Sequence, residues 1–157
     1  MTPKLGLPLK DLKSITSLLC NVLADAVILY TKTRKFHWNV SGNSFMELHK
    51  LFEDQYTKLE HSIDEIAERI NKMGTKTPGT MEEFLKLGSL KETPGKYPGQ
   101  LQMIRELLND HESVIVQLRK YSDECDEKYN DKVTSDFLID LVKEHETIAW
   151  TLRRYLK

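Results

Sequence analysis

The sequence predicts an all-α fold, a four-helix bundle with one long crossover that contains a short helix. Three observations predict it. Apolar residues recur every three or four positions over four long stretches, no stretch alternates with the period of two that marks a half-buried strand, and glycine and proline crowd one segment of about 25 residues between the second and third stretches. At 157 residues the chain fits one domain with a sizeable core, read as residues 1–157 with a short tail over about 1–8.

The first helix is predicted from about Leu9 to Trp38, on Ile15, Leu18, Leu19, Val22, Leu23, Ala26, Leu29 and Tyr30. A turn over Asn39–Asn43 follows, with Gly42 as its flexible point. Ser44 and Glu47 read as a capping box opening the second helix. Its apolar stripe is Phe45, Leu48, Phe52, Tyr56, Leu59, Ile63, Ile66, Ile70 and Met73, and Gly74 ends it. The crossover over about 75–99 holds one short helix, opened by a box from Thr80 to Glu83 and closed at Gly88. The third long helix is predicted over roughly Gln100–Glu127 and the fourth over roughly Lys132–Leu156, where Arg153, Arg154 and Lys157 suit the negative end of the helix dipole. A tight turn makes the first two helices antiparallel neighbours. A 25-residue crossover is long enough to return the chain to the other end of the bundle, so the third helix can run parallel to the second. Four helices with one long crossover is the ferritin-like arrangement.

Composition removes several classes of function. A formal net charge of -1 gives no global attraction to nucleic acid or anionic membrane. No stretch reads as the ~20 apolar residues of a membrane span, and the N-terminus lacks the apolar centre of a secretory signal. Cys20 and Cys125 form neither a CxxC pair nor a disulfide framework and read as buried or half-buried thiols of a reducing compartment, with the cytoplasm the expected location.

Iron calls for imidazole and carboxylate ligands. The Glu-x-x-His pair of an intra-bundle di-iron site is absent: Arg34, Met46, Lys58, Leu108 and Val142 stand three residues before His37, His49, His61, His111 and His145. The second helix carries a row of His49, Glu53, Glu60, Asp64 and Glu68 beside its apolar seam. Taken alone, such a row is a solvated helix face. His49 and Asp64 lie fifteen residues apart, about 22 Å along one helix, too far to share an ion within a chain. Yet fifteen steps of 100° bring them within about 60° of the same direction. A second copy packed antiparallel across a two-fold axis would bring His49, with His37 across the short turn, against Asp64 and Glu68 of its mate. The spacing permits this shared site without demanding it.

His37-Trp38-Asn39-Val40-x-Gly42, Phe45, Leu48-His49 and Asp64-x-x-Ala67-Glu68-Arg69-Ile70 resemble the signature of the Dps proteins, ferritin-like mini-cages of bacteria and archaea. The resemblance is dense from Phe36 to Gly74 and covers the positions of that family's inter-subunit ferroxidase site at His37, His49, Asp64 and Glu68. It implies a dodecamer built from two-fold dimers, oxidation of Fe(II) by hydrogen peroxide or O2, and storage of a ferric mineral that limits oxidative damage. It further implies that Glu53 helps to hold a second iron of a di-iron centre and that Trp38 supplies an electron. By the same resemblance the start of the fourth helix lines a three-fold pore, with Asp131, Asp136 and Glu144 as the acidic candidates and a solvated face as the alternative for each.

His61, His111 and His145 read as isolated surface or interface histidines, and the methionines as core or interface fillers. Lys4, Lys10 and Lys13 are few for a DNA-binding tail, so DNA binding, and with it association with a nucleoid, is expected to be weak or absent at physiological salt. Two other functions compete with an iron-oxidising cage: a DNA-compacting structural dodecamer with incidental metal binding, and an unrelated helical adaptor.

Overall fold

The chain, described over residues 3–156 by a computed structural model, forms α1 (Leu9–Asn39), α2 (Phe45–Lys72), α3 (Met81–Leu87), α4 (Gln100–Asp123) and α5 (Lys132–Arg154). No strand occurs among the described residues. Lys157, counted in the predicted last turn, lies outside them.

Side-chain bonds between the helices fix the topology. A Cβ placed on Gly42, in the α1–α2 turn, would lie 3.3 Å from the side chain of Gln100, the first residue of α4. The helices α2 and α4 therefore start at the same end and run parallel. Thr75 Oγ1 donates to Thr16 Oγ1 at 3.2 Å, and Lys35 Nζ donates to the Thr93 carbonyl at 2.9 Å, so the crossover climbs along α1 from its beginning to its end. On α5, Thr134 meets Arg69 (2.7 Å), Glu144 meets Ser62 and Tyr155 meets Glu47 (2.6 Å), which sets α5 antiparallel to α2. This is the ferritin-like bundle.

The core runs the length of all four long helices. Ile15, Leu19, Leu23, Leu29, Phe36, Leu48, Phe52, Leu59, Ile66, Ile70, Met103 and Ile104 are sealed inside it. An 18-residue stretch of α1 is, against expectation, apolar enough to cross a membrane by length and composition, with a mean hydropathy of 1.6, but 67% of that stretch is buried in the bundle. Its apolarity is that of a central helix packed on three neighbours. Asp25 is buried in α1 and accepts from the Ser89 and Leu90 amides (2.6 and 2.9 Å) and the Ser89 hydroxyl (2.8 Å), clamping the crossover where it leaves α3. Gly88 lies so close to α1 that a Cβ there would meet Ile28 Cδ1 at 2.4 Å.

The two predicted capping boxes end differently. The Thr80 box forms: Glu83 N donates to Thr80 Oγ1 (3.3 Å), and the Glu83 carboxylate accepts from Thr80 N (2.9 Å). The Ser44 box does not, because the Ser44 backbone (φ -98°, ψ 26°) is not in the extended geometry that aims a cap hydroxyl at the third amide. Glu47 takes the Tyr155 hydroxyl instead.

The third long helix also departs from expectation. Regular α-helix stops at Asp123, and residues Glu124–Lys128 form a π-helical turn. The Asp131 amide reaches back to the Cys125 carbonyl (2.9 Å), and Asn130 adopts a left-handed φ of 53°. The buried Cys125 thiol is pushed up to about 12 by burial and by Asp131 and Glu124, so it is inert as a nucleophile.

Asp131, expected at a pore, is buried and caps α5. Its carboxylate accepts from Thr134 N (3.1 Å) and Thr134 Oγ1, and lies 3.6 Å from Arg69. Asp131→Ala is expected to lower stability by about 1–2 kcal/mol, read from urea midpoints, whereas Asp131→Asn keeps the cap and loses much less. Equal losses in both variants would move the effect from the cap to the Arg69 pair.

Candidate metal centre

His37 lies in the last turn of α1 and His49 at the start of α2, so the tight turn folds them onto each other. Their rings stack with centroids 3.8 Å apart and planes inclined by 18°. His37 Nδ1 donates to the His49 carbonyl at 2.7 Å, and His49 Nδ1 donates to the His37 carbonyl at 2.9 Å. The His37 carbonyl is among the last four of α1, which have no donor within their own helix. Because a carbonyl only accepts, both hydrogens are assigned to Nδ1, and both Nε2 atoms keep their lone pairs. This is how backbone groups orient imidazoles that bind a metal. Phe45 lies 5.1 Å from the His49 ring, and Tyr56 stands edge-on to His37 at 5.2 Å.

Within one chain the carboxylates are elsewhere. Asp64 and Glu68 are exposed on α2, one turn apart. Glu68 pairs with Lys72 at 2.8 Å, and that bond holds its carboxyl below the usual range. Glu53, one turn beyond His49, is half-buried and lies 3.4 Å from Lys50. Among the described residues, no three His, Cys, Asp or Glu side chains of one chain converge on a point where an ion would sit. The fold brings His37 and His49 together and leaves Asp64 and Glu68 facing outward.

Other predicted residues fall into different places. Trp38 is 63% exposed and flanks the Arg34 guanidinium at 5.4 Å rather than either imidazole, since one helical step turns it about 100° from His37. Glu144 is half-buried and accepts from Ser62 Oγ of α2 at 3.0 Å, and burial pushes its carboxyl up. Of the three pore candidates, only Asp136 is freely presented. His61 is exposed, as expected, but His111 and His145 are neither isolated nor superficial: they are buried against each other, Nδ1 to Nδ1 at 2.8 Å. The Lys4 side chain is exposed, but its neighbour Pro3 packs on the turn after α2, where a Cβ on Gly74 would meet it at 2.6 Å. Tyr56 was not singled out as a site residue. The signal for it was its position seven residues after His49, on the same face of α2.

Comparison with known proteins agrees with this architecture. A ferritin-like domain matches residues 16–157. A low temperature-induced protein of Nostoc sp. is 42% identical over 98% of this chain and 86% of its own length. The DNA protection during starvation protein 2 of Bacillus anthracis is 38% identical over 92% of this chain and 97% of its own. The crystal structure of the Dps protein from Vibrio cholerae O1, described as a member of a broad superfamily of ferritin-like diiron-carboxylate proteins, superposes with a TM-score of 0.92 at 30% identity, covering 100% of this chain and 98% of that one.

Proposed function

The chain belongs to the Dps family of ferritin-like proteins, and we propose that it oxidises Fe(II) with peroxide or dioxygen at sites shared between two antiparallel copies of α2, storing the ferric product inside a closed oligomer of twelve. The observation that carries this is the reciprocal hydrogen bonding of His37 and His49, which fixes both Nε2 atoms as lone-pair donors before any metal arrives. Asp64 and Glu68 of a neighbouring copy complete a set of two nitrogens and two carboxylates, and Glu53 stands ready beside a second iron.

Iron here is substrate and cargo. A site of four or five ligands leaves positions open for the oxidant, and two Fe(II) with one H2O2 give two Fe(III) and two hydroxides. Fe(III) is harder than Fe(II) and prefers oxygen, so oxidation drives it from the imidazoles into an oxo-hydroxide mineral. The exposed carboxylates give the local negative potential that gathers the divalent ion. Double-stranded DNA is a weak partner on this reading, given a net charge of -1 and few lysines near the N-terminus. Two unpaired thiols suit a reducing, cytoplasmic setting.

The test is anaerobic mixing of Fe(II) with peroxide, followed by optical absorbance. A His37→Ala, His49→Ala double variant is expected to oxidise iron at least on the order of 100-fold more slowly than the parent at equal assembly. Unchanged oxidation would refute the assignment.

A further inference from the structure

A site that holds one Fe(II) when peroxide arrives is short by one electron. Peroxide takes two and the ion gives one, and without a second donor the remainder leaves as hydroxyl radical. The surroundings of the imidazole pair show where a second electron can come from. Phe45 touches His49, but a phenyl ring is not readily oxidised. Trp38 is oxidisable, yet within one copy it rests on Arg34 and its ring pairs with neither imidazole. Among the described residues of one chain, Tyr56 alone combines an oxidisable ring with direct contact to a proposed ligand, edge-on to His37 at 5.2 Å.

This contact is built. Tyr30, Arg34 and His37 follow one stripe of α1 at helical spacing, and His49 and Tyr56 follow one stripe of α2. Tyr30 meets Tyr56 edge-to-face at 6.1 Å, and the Arg34 guanidinium lies 4.6 Å from the Tyr56 ring and hydrogen-bonds the Tyr30 hydroxyl. Arginine over an aromatic face is attracted to its quadrupole and holds the ring in place. A fixed positive charge at that distance also disfavours a radical cation, so the electron must leave together with the phenolic proton.

We infer that Tyr56 is an electron donor that completes peroxide reduction at half-loaded iron sites, through His37. This rests on the shared iron site proposed above. In the balanced step, one Fe(II), one H2O2 and the Tyr56 phenol give one Fe(III), one hydroxide, one water and a neutral Tyr56 phenoxyl radical. The O–O bond breaks, iron and phenol supply one electron each, and the phenolic proton ends in the water.

The experiment mixes the assembled protein, loaded anaerobically with one Fe(II) per site, with excess peroxide. Samples are freeze-quenched for electron paramagnetic resonance, and iron oxidation is followed optically in parallel. The parent is expected to show a tyrosyl signal. Tyr56→Phe keeps the ring and its packing and is expected to lose that signal, with several-fold more hydroxyl radical caught by a spin trap, while Trp38→Phe retains the tyrosyl signal. Iron oxidation with no tyrosyl radical, or a radical that survives Tyr56→Phe, would overturn the inference and leave the iron site standing. No iron oxidation in the parent would remove the site itself, and the donor with it.

Discussion

Mixing a His37→Ala, His49→Ala chain with an Asp64→Ala, Glu68→Ala chain is expected to recover iron oxidation that neither variant has alone. The expectation follows from distance along α2, where His49 and Asp64 are about 22 Å apart and cannot serve one ion within a chain. In a mixed dimer the intact histidines of one copy face the intact carboxylates of the other. The second site of that dimer carries both defects. With random pairing, half of the dimers are mixed and each has one working site, so activity should return to about a quarter of the parent value across a two-fold interface. The two variants are refolded or co-expressed together, and peroxide-driven Fe(II) oxidation is compared with the separately prepared variants at equal total protein. Recovery indistinguishable from zero, in assemblies shown to contain both chains, would mean that each chain makes its own site.

The helical class, the four long elements and the crossover were legible because each rests on local pattern: apolar spacing near 3.6, a glycine at a turn, a cap with its partner three residues on. The pattern failed where backbone conformation mattered. Ser44 and Thr80 carry the same motif, but only Thr80 has the extended geometry (φ -116°, ψ 148°) from which its hydroxyl reaches the third amide. The end of α4 went unread for a related reason, since its π-helical turn depends on a hydrogen bond to Asp131 across the loop. Asp131 and Glu144 looked like free acids because a one-dimensional pattern does not show which carboxylates have found Thr134 and Ser62. His111 and His145 were readable in part: each sits on the apolar stripe of its helix, with Leu108 and Val142 one turn before. Their pairing across 34 residues was not. The candidate centre lies between these cases. The twelve-residue spacing of His37 and His49 across a short turn permitted a pair, and the fold supplies its tautomers through backbone carbonyls that no sequence pattern displays.

The buried pair His111–His145 should make the bundle acid-labile over a defined window. His111 is 0% exposed and His145 4%, and a single hydrogen bond between their Nδ1 atoms requires one ring to donate and the other, unprotonated there, to accept. Burial drives His145 down to about 4, and burial together with its partner drives His111 well below the ordinary histidine value of 6.5. The unfolded chain therefore binds protons that the folded chain refuses. The stabilisation from neutral rings is complete above pH 6.5 and is lost as pH falls from there toward 4, by roughly 3 kcal/mol per subunit for His145 alone. Glu144 acts in the opposite sense, because burial raises its carboxyl and its contribution declines as pH rises. Comparison with a His111→Gln, His145→Gln chain cancels Glu144 and every other shared group, since glutamines can hydrogen-bond without titrating. At fixed protein concentration, the urea midpoint of the parent should fall steeply between pH 6.5 and 4, and the double variant should follow a much flatter line. Parallel lines would mean that the two imidazoles are charged or hydrated in the folded bundle, and that the neutral hydrogen-bonded pair does not exist in solution.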